Sequence, residues 1–132
     1  QLLYYPVLDI NIENYGSFNL FGEGFALDRH FAKMVDDLAF ETPEDREHIW
    51  LSPLKASSFK GMPPAVVITA GFDMLRDQGK IYAERLKDDG VPVTYLNYGS
   101  LIHGFMQFSG TIDDAREACV DSARLFGELV QR

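Results

Sequence analysis

Residues 65–75 read Ala65-Val66-Val67-Ile68-Thr69-Ala70-Gly71-Phe72-Asp73-Met74-Leu75. Ala65 to Ala70 is a continuous apolar strand without the alternation of a half-exposed one, the pattern of a strand covered on both faces. Met62-Pro63-Pro64 punctuates the approach, and Gly71-Phe72-Asp73 turns the chain out. A helical pattern follows with Leu75, Tyr82, Ala83 and Leu86 on one face. Gly90 stands just past its last turn, where a left-handed glycine ends a helix. Val91 to Tyr98 is the next strand and Gly99 to Gly110 a long loop. The last helix opens near Asp113-Asp114, whose carboxylates suit the positive end of its dipole. It is expected to bury Ala115, Ala118, Cys119, Ala123, Phe126, Leu129 and Val130. Strand, helix, strand, helix at these lengths makes parallel strands joined by right-handed crossovers, so the fold class is α/β.

Upstream the pattern loosens. The chain enters directly on Leu2-Leu3-Tyr4-Tyr5-Pro6-Val7-Leu8, a β-type run that reads as another strand buried on both faces. Residues 9–60 form a partly helical insert. Asn11, Asn14, Gly16, Ser17 and Asn19 make a polar, turn-rich stretch. Phe25, Leu27, Phe31, Met34, Val35 and Leu38 recur at spacings of two to four, which predicts one helix over about residues 25–40. Pro43-Glu44-Asp45 opens a short helical or turn segment, and Ser52-Pro53-Leu54 closes the insert as an extended turn.

Composition removes whole classes of function. Over 132 residues, 12 Lys+Arg against 20 Asp+Glu leaves a net charge of −8, which repels phosphate backbones and disfavours nucleic acid and anionic membrane surfaces as partners. With 46% hydrophobic and 13% aromatic residues the chain has the content of a packed core. No apolar run is long enough for a transmembrane segment. Cys119 is the single cysteine, so neither an intrachain disulfide nor a Cys-rich zinc site can form. No signal peptide is visible and a cytoplasmic location is favoured, though a chain that starts inside a strand leaves its leader unread.

Functional loops of an open parallel sheet lie at the carboxyl ends of its strands. Asp73 follows the first strong strand, and His103 follows the next. Neighbouring strands run about 4.8 Å apart, so the two side chains can meet at hydrogen-bond distance. Asp73 would then orient the imidazole and leave its second nitrogen to act as a base. The competing readings are plain ones: a loop aspartate that caps a helix, and a structural histidine. Asp77 reads as a cap or ion pair within its own helix. Leu101, Ile102, Phe105, Met106 and Phe108 flank His103 as core or pocket wall, while His30 and His48 read as surface residues. Phe18, Phe21 and Phe25 either shape substrate access or simply pack. Gly22-Glu23-Gly24 lacks both the preceding strand and the third glycine of a phosphate-binding loop.

The stretch Ile68-Thr69-Ala70-Gly71-Phe72-Asp73-Met74-Leu75-Arg76-Asp77-Gln78-Gly79 resembles the Asp-x-Leu-Arg-Asp-x-Gly segment of the hormone-sensitive-lipase family of α/β-hydrolases. His103-Gly104-Phe105 is similar to that family's His-Gly-Phe, and Tyr5-Pro6, Ser52-Pro53-Leu54 and Pro63-Pro64 match as well. The resemblance spans about residues 1–130. It implies an α/β-hydrolase fold, with Asp73 and His103 as acid and histidine of a Ser-His-Asp triad that hydrolyses short to medium acyl esters. It implies no cofactor and no metal, and some relatives pair as homodimers through the strand near the histidine loop.

In this fold the nucleophile precedes the acid and the histidine, inside Gly-x-Ser-x-Gly. None of Ser17, Ser52, Ser57, Ser58, Ser100, Ser109 or Ser122 has glycine two residues before and after it, and no His-Gly-Gly-Gly oxyanion loop is present. Residues 1–132 are therefore expected to be the C-terminal portion of a single α/β-hydrolase domain, whose N-terminal half supplies serine and oxyanion donors and so is its partner. Such a portion is expected to be inactive alone. The alternatives are a non-catalytic small-molecule-binding protein, as in the gibberellin receptors that resemble this family without its histidine, and a truncated non-functional product.

Overall fold

A computed structural model describes residues 1–40 and 42–131, which are organised on three parallel strands in the order β1 (Leu2–Tyr4), β2 (Ala65–Phe72) and β3 (Val93–Ile102). β2 lies in the middle, and every residue from Ala65 to Ala70 is at most 1% exposed. Side chains alternate between faces along a strand, so an uninterrupted apolar run suits a strand sandwiched between helices. Ala65 and Val67 pack against Tyr82, Ala83 and Leu86 of α3 (Arg76–Asp88), together with Leu8, Leu54 and Phe59. Val66, Ile68 and Ala70 pack on the other face against Ala115 and Ala118 of α4 (Asp113–Val130), with Leu101 and Phe105 completing that cluster.

The inner face of α4 differs from the expected one. Ala123 and Val130 are exposed, and Cys119 and Phe126 are only half-buried. The face runs instead through Ala115, Ala118 and Ser122, with Leu125 and Leu129 beside it, a regular three-four spacing. Ser122 can hold a core position because its hydroxyl donates to the Cys119 carbonyl at 2.9 Å and bonds the Tyr4 hydroxyl.

Both long strands run further than expected: β2 ends at Phe72 rather than Ala70, and β3 at Ile102 rather than Tyr98. Between the two, Ala70 pairs with Tyr98 and Phe72 with Ile102, so β3 spends two more residues than β2 across an irregularity in the ladder. Gly71 and Gly99 sit at this irregularity, inside the strands rather than at the strand ends expected from the sequence. A Cβ on Gly71 would lie 2.2 Å from the Gly99 carbonyl oxygen, which is why residue 71 carries no side chain.

β1 stops at Tyr4, shorter than expected, and its residues are half-buried rather than buried on both faces. Tyr5 leaves the strand with φ of +36° while its N–H still donates to the Ile68 carbonyl at 2.7 Å. Positive φ is rare for a bulky side chain, more so just before a proline, and costs on the order of 1–3 kcal/mol. The chain beyond is held by Gln78, fully buried on α3. Its Oε1 accepts the N–H groups of Leu8 and Asp9 at 2.8 and 2.9 Å, and its Nε2 donates to the Asp9 carbonyl at 2.9 Å.

The insert contains α1 (Gly16–Phe21) and α2 (Arg29–Ala39), linked by turns and short 3-10 segments at Ile12–Asn14, Pro43–Glu47 and Pro53–Lys55. The single helix expected over 25–40 is thus shorter. It starts after Asp28, whose Oδ1 caps the Phe31 N–H at 2.8 Å, and α1 was not anticipated. Ser52-Pro53-Leu54 enters a 3-10 turn rather than an extended one, and Leu54 N–H returns to the Leu8 carbonyl at 2.9 Å. The buried Asp9 carboxylate gathers the Asn11 N–H, the Tyr15 hydroxyl and the Ser52 hydroxyl at 3.0, 2.8 and 3.2 Å. Burial pushes that carboxyl up, but the hydrogen bonds from Tyr15 and Asn11 outweigh burial and hold it below the usual carboxylate range.

Gly71→Ala places a methyl group against the β3 backbone. It is expected to lower unfolding stability by about 1–3 kcal/mol in denaturant titrations. Gly110→Ala, where a Cβ meets open space, is the control and should leave the midpoint in place.

Candidate active site

With Phe72 opposite Ile102, the next residue on each strand is the same distance beyond the ladder, and those residues are Asp73 and His103. The structure brings them together: His103 Nδ1 lies 2.8 Å from Asp73 Oδ2. The Asp73 side chain is fully buried, and its other oxygen accepts the Leu75 N–H at 2.9 Å. One oxygen is therefore held by the start of the next helix, and the other faces the imidazole. An ionised carboxylate can only accept, so it selects the tautomer with the proton on Nδ1 and leaves the Nε2 lone pair free to take a proton. Gly104 follows with φ of +77°, a conformation that lets the chain turn from β3 into the 3-10 segment Phe105–Phe108.

His103 is a quarter exposed and lines a cavity of about 450 Å³. The cavity wall is mainly apolar, with Val7, Phe18, Leu27, Phe31, Val35 and Leu75 among its residues, so the insert roofs the imidazole. The three phenylalanines of the insert therefore part company. Phe18 lines the cavity, whereas Phe21 and Phe25 pack on Phe72 with ring centroids 5.8 and 5.6 Å away. None of Leu101, Ile102, Phe105, Met106 and Phe108 lines this cavity. Leu101 and Phe105 are core residues beneath α4. His30 and His48 are exposed, as expected.

Asp77 does more than serve its own helix. Its Oδ2 accepts the Ser17 N–H at 2.8 Å, near the start of α1, while Oδ1 meets the Arg76 guanidinium at 3.2 Å. Ser17, fully buried, donates in turn to the Met74 carbonyl at 2.7 Å, one residue past Asp73. The insert is thereby tied directly to the loop that presents the carboxylate.

Tyr5 is the neighbour that sequence reasoning missed. Its ring centroid lies 4.5 Å from that of His103, and Phe105 meets it edge-on at 5.4 Å. Burial pushes the Tyr5 phenol above its ordinary value, with Cys119, Tyr4 and Asp73 adding to the effect, so the ring stays neutral at neutral pH. The signal was available in the topology. Tyr5, Asp73 and His103 are each the first residue after their strand. Among the described residues, no group of three or more His, Cys, Asp or Glu side chains could hold a metal ion, and no helix is long and apolar enough to cross a membrane.

Residues 1–107 match a family model described as alpha/beta hydrolase fold. The chain belongs to the α/β-hydrolases, in their hormone-sensitive-lipase-like branch. It is 39% identical over 111 residues to the carboxylic ester hydrolase LipN of Mycobacterium tuberculosis, covering 80% of this chain and 28% of that protein. An ethyl acetate hydrolase of Pseudomonas putida is 31% identical over 120 residues, 91% of this chain and 37% of that one. Among solved structures, the ester hydrolase EH1AB1 from the metagenome of Lake Arreo superposes with a TM-score of 0.91 at 35% identity, over all of this chain and 42% of that one. The chain thus spans only about a third of the length of these curated relatives. The α/β-hydrolase fold and the esterase kinship expected from the sequence both hold.

Asp77→Ala removes the acceptor for the Ser17 N–H and is expected to cost about 1–2 kcal/mol in denaturant titrations. Asp77→Asn keeps an acceptor oxygen and should recover most of that loss; an equal loss in both would assign the effect to charge instead.

Proposed function

We propose that this chain is the acid-and-base portion of a carboxylesterase, in which Asp73 and His103 complete a Ser-His-Asp triad. The observation that carries the reading is the 2.8 Å contact between a fully buried carboxylate and an imidazole that lines an apolar cavity. The seven serines lie in none of the nucleophile contexts of this fold, so serine and oxyanion donors come from residues outside the chain. In the complete site, His103 Nε2 takes the proton of the serine hydroxyl as its oxygen attacks the ester carbonyl. Asp73 stabilises the imidazolium that results and keeps its ring in place. His103 then gives the proton to the departing alkoxide, and water, deprotonated by the same nitrogen, releases the acid.

The apolar wall beside His103 suits the hydrocarbon part of a neutral ester. The cations that line the cavity each pair with a carboxylate: Arg46 with Asp36, Arg29 with Glu23, and Lys33 with Asp37. They offer little to an anionic substrate. The names of the relatives as ester hydrolases support the same substrate class. Paired through the open edge of β3, two copies would form a homodimer.

In the full-length protein, His103→Ala and Asp73→Ala should each lower kcat by about 10³-fold or more while KM changes little. Near-wild-type turnover in Asp73→Ala would remove the assignment. The 132 residues alone should give no burst of p-nitrophenol from a short ester, and a burst would show that a nucleophile lies within them.

A further inference from the structure

The imidazole of His103 meets the Asp73 carboxylate at Nδ1 and the ring of Tyr5. The second contact is not incidental to the fold. Tyr5 holds φ of +36° in front of Pro6, a conformation that surrounding structure must impose. Two of the contacts that impose it act on the backbone. The Tyr5 N–H stays on the Ile68 carbonyl of β2, and Gln78 grips the backbone three and four residues on. Phe105 then meets the ring edge-on, at an interplanar angle of 80°. The Tyr5 and His103 rings end 4.5 Å apart and tilted at 57°, inside the distance at which an aromatic quadrupole attracts a cation.

We propose that Tyr5 is a positioning residue for His103: its ring holds the imidazole beside Asp73 and favours the imidazolium that forms when His103 accepts a proton. This rests on the esterase reading above. The other titratable and charged groups near the pair are accounted for. Tyr4 and Cys119, from β1 and α4, lie near Tyr5. The insert contributes Glu13, Arg29, Lys33, Asp36 and Arg46 to the cavity, and each of these cations has its own carboxylate partner.

The direction follows from the sign of the interaction. A ring that favours the cation makes His103 bind its proton more readily, so removing the ring moves the acidic limb of the kcat/KM profile to lower pH. It also removes support from the imidazolium of the transition state, so kcat falls on the plateau. In the full-length protein, Tyr5→Leu is expected to move the limb down by about half a pH unit and to lower kcat about 3- to 10-fold, with KM within about twofold. Tyr5→Phe keeps the ring and should retain both limb and kcat. Where Tyr5→Leu does not fold, pentafluorophenylalanine at position 5 keeps the shape and reverses the quadrupole, and the same limb shift is expected. A limb and kcat that stay at wild-type values in the ring-less or fluorinated protein overturn the proposal, as does a Tyr5→Phe protein that behaves like Tyr5→Leu. His103→Ala measured in parallel separates the two levels. If it is fully active, the esterase reading fails; if it is inactive while Tyr5→Leu is indistinguishable from wild type, only the role of Tyr5 fails.

Discussion

Two glycine backbones in contact, Gly71 on β2 and Gly99 on β3, set the geometry on which the site depends. The ladder between these strands is irregular at that point, and β3 spends two extra residues to keep pace with β2. Without the irregularity, Phe72 would pair two residues earlier on β3, and His103 would follow two residues beyond the level of Asp73. At about 3.3 Å per residue, that displacement exceeds what an aspartate side chain can span. With it, both side chains leave the sheet at one level, 2.8 Å apart. The absence of a Cβ at residue 71 is therefore a requirement of the site as well as of the strand.

A second constraint attaches the insert. Residues between β1 and β2 cover the imidazole, yet α2 has no buried residue of its own. Its apolar face lines a cavity instead of a core. Buried and half-buried polar groups hold the insert in place: Gln78 on the backbone of Leu8 and Asp9, Asp9 on Tyr15 and Ser52, Asp77 on the Ser17 N–H, and the Ser17 hydroxyl on the Met74 carbonyl. Each such bond adds only about 1 kcal/mol net, but a buried partner left unsatisfied costs more, so these contacts define one position for the insert. Because Gln78, Asp77 and Met74 belong to the segment that presents Asp73, cavity wall and carboxylate move as one unit.

How much of this was legible follows from the same features. β2, α3 and α4 could be read because apolar periodicity and glycine punctuation agree there. Asp73 and His103 could be paired because parallel strands present their carboxyl ends on one side. The strand ends were misplaced because glycine ordinarily marks a turn, and only a partner strand distinguishes a turn from a bulge. The inner face of α4 was misread at Ser122, since a serine satisfied by Tyr4 and by the Cys119 carbonyl looks polar in sequence while standing in the core. The short helix α1 has no side-chain cap of its own, and its anchors, Met74 and Asp77, lie 57 and 60 residues away in the chain. Local pattern fails where satisfaction is long-range.

The remaining gap, Tyr5, is of that kind too. Read locally, Tyr4-Tyr5-Pro6 continues an apolar strand, and nothing in the run marks the residue at which the chain leaves the sheet. Strand pairing marks it, because Tyr5 is the last residue whose N–H reaches β2. The three strands thus each deliver one side chain at their carboxyl end: a ring from β1, a carboxylate from β2 and an imidazole from β3. The rigid ladder fixes the spacing of the carboxylate and imidazole, while the ring reaches them only through a backbone held at positive φ. Strain of that size persists where several independent contacts impose it, and here they are the Ile68 carbonyl, the Gln78 clamp and Phe105.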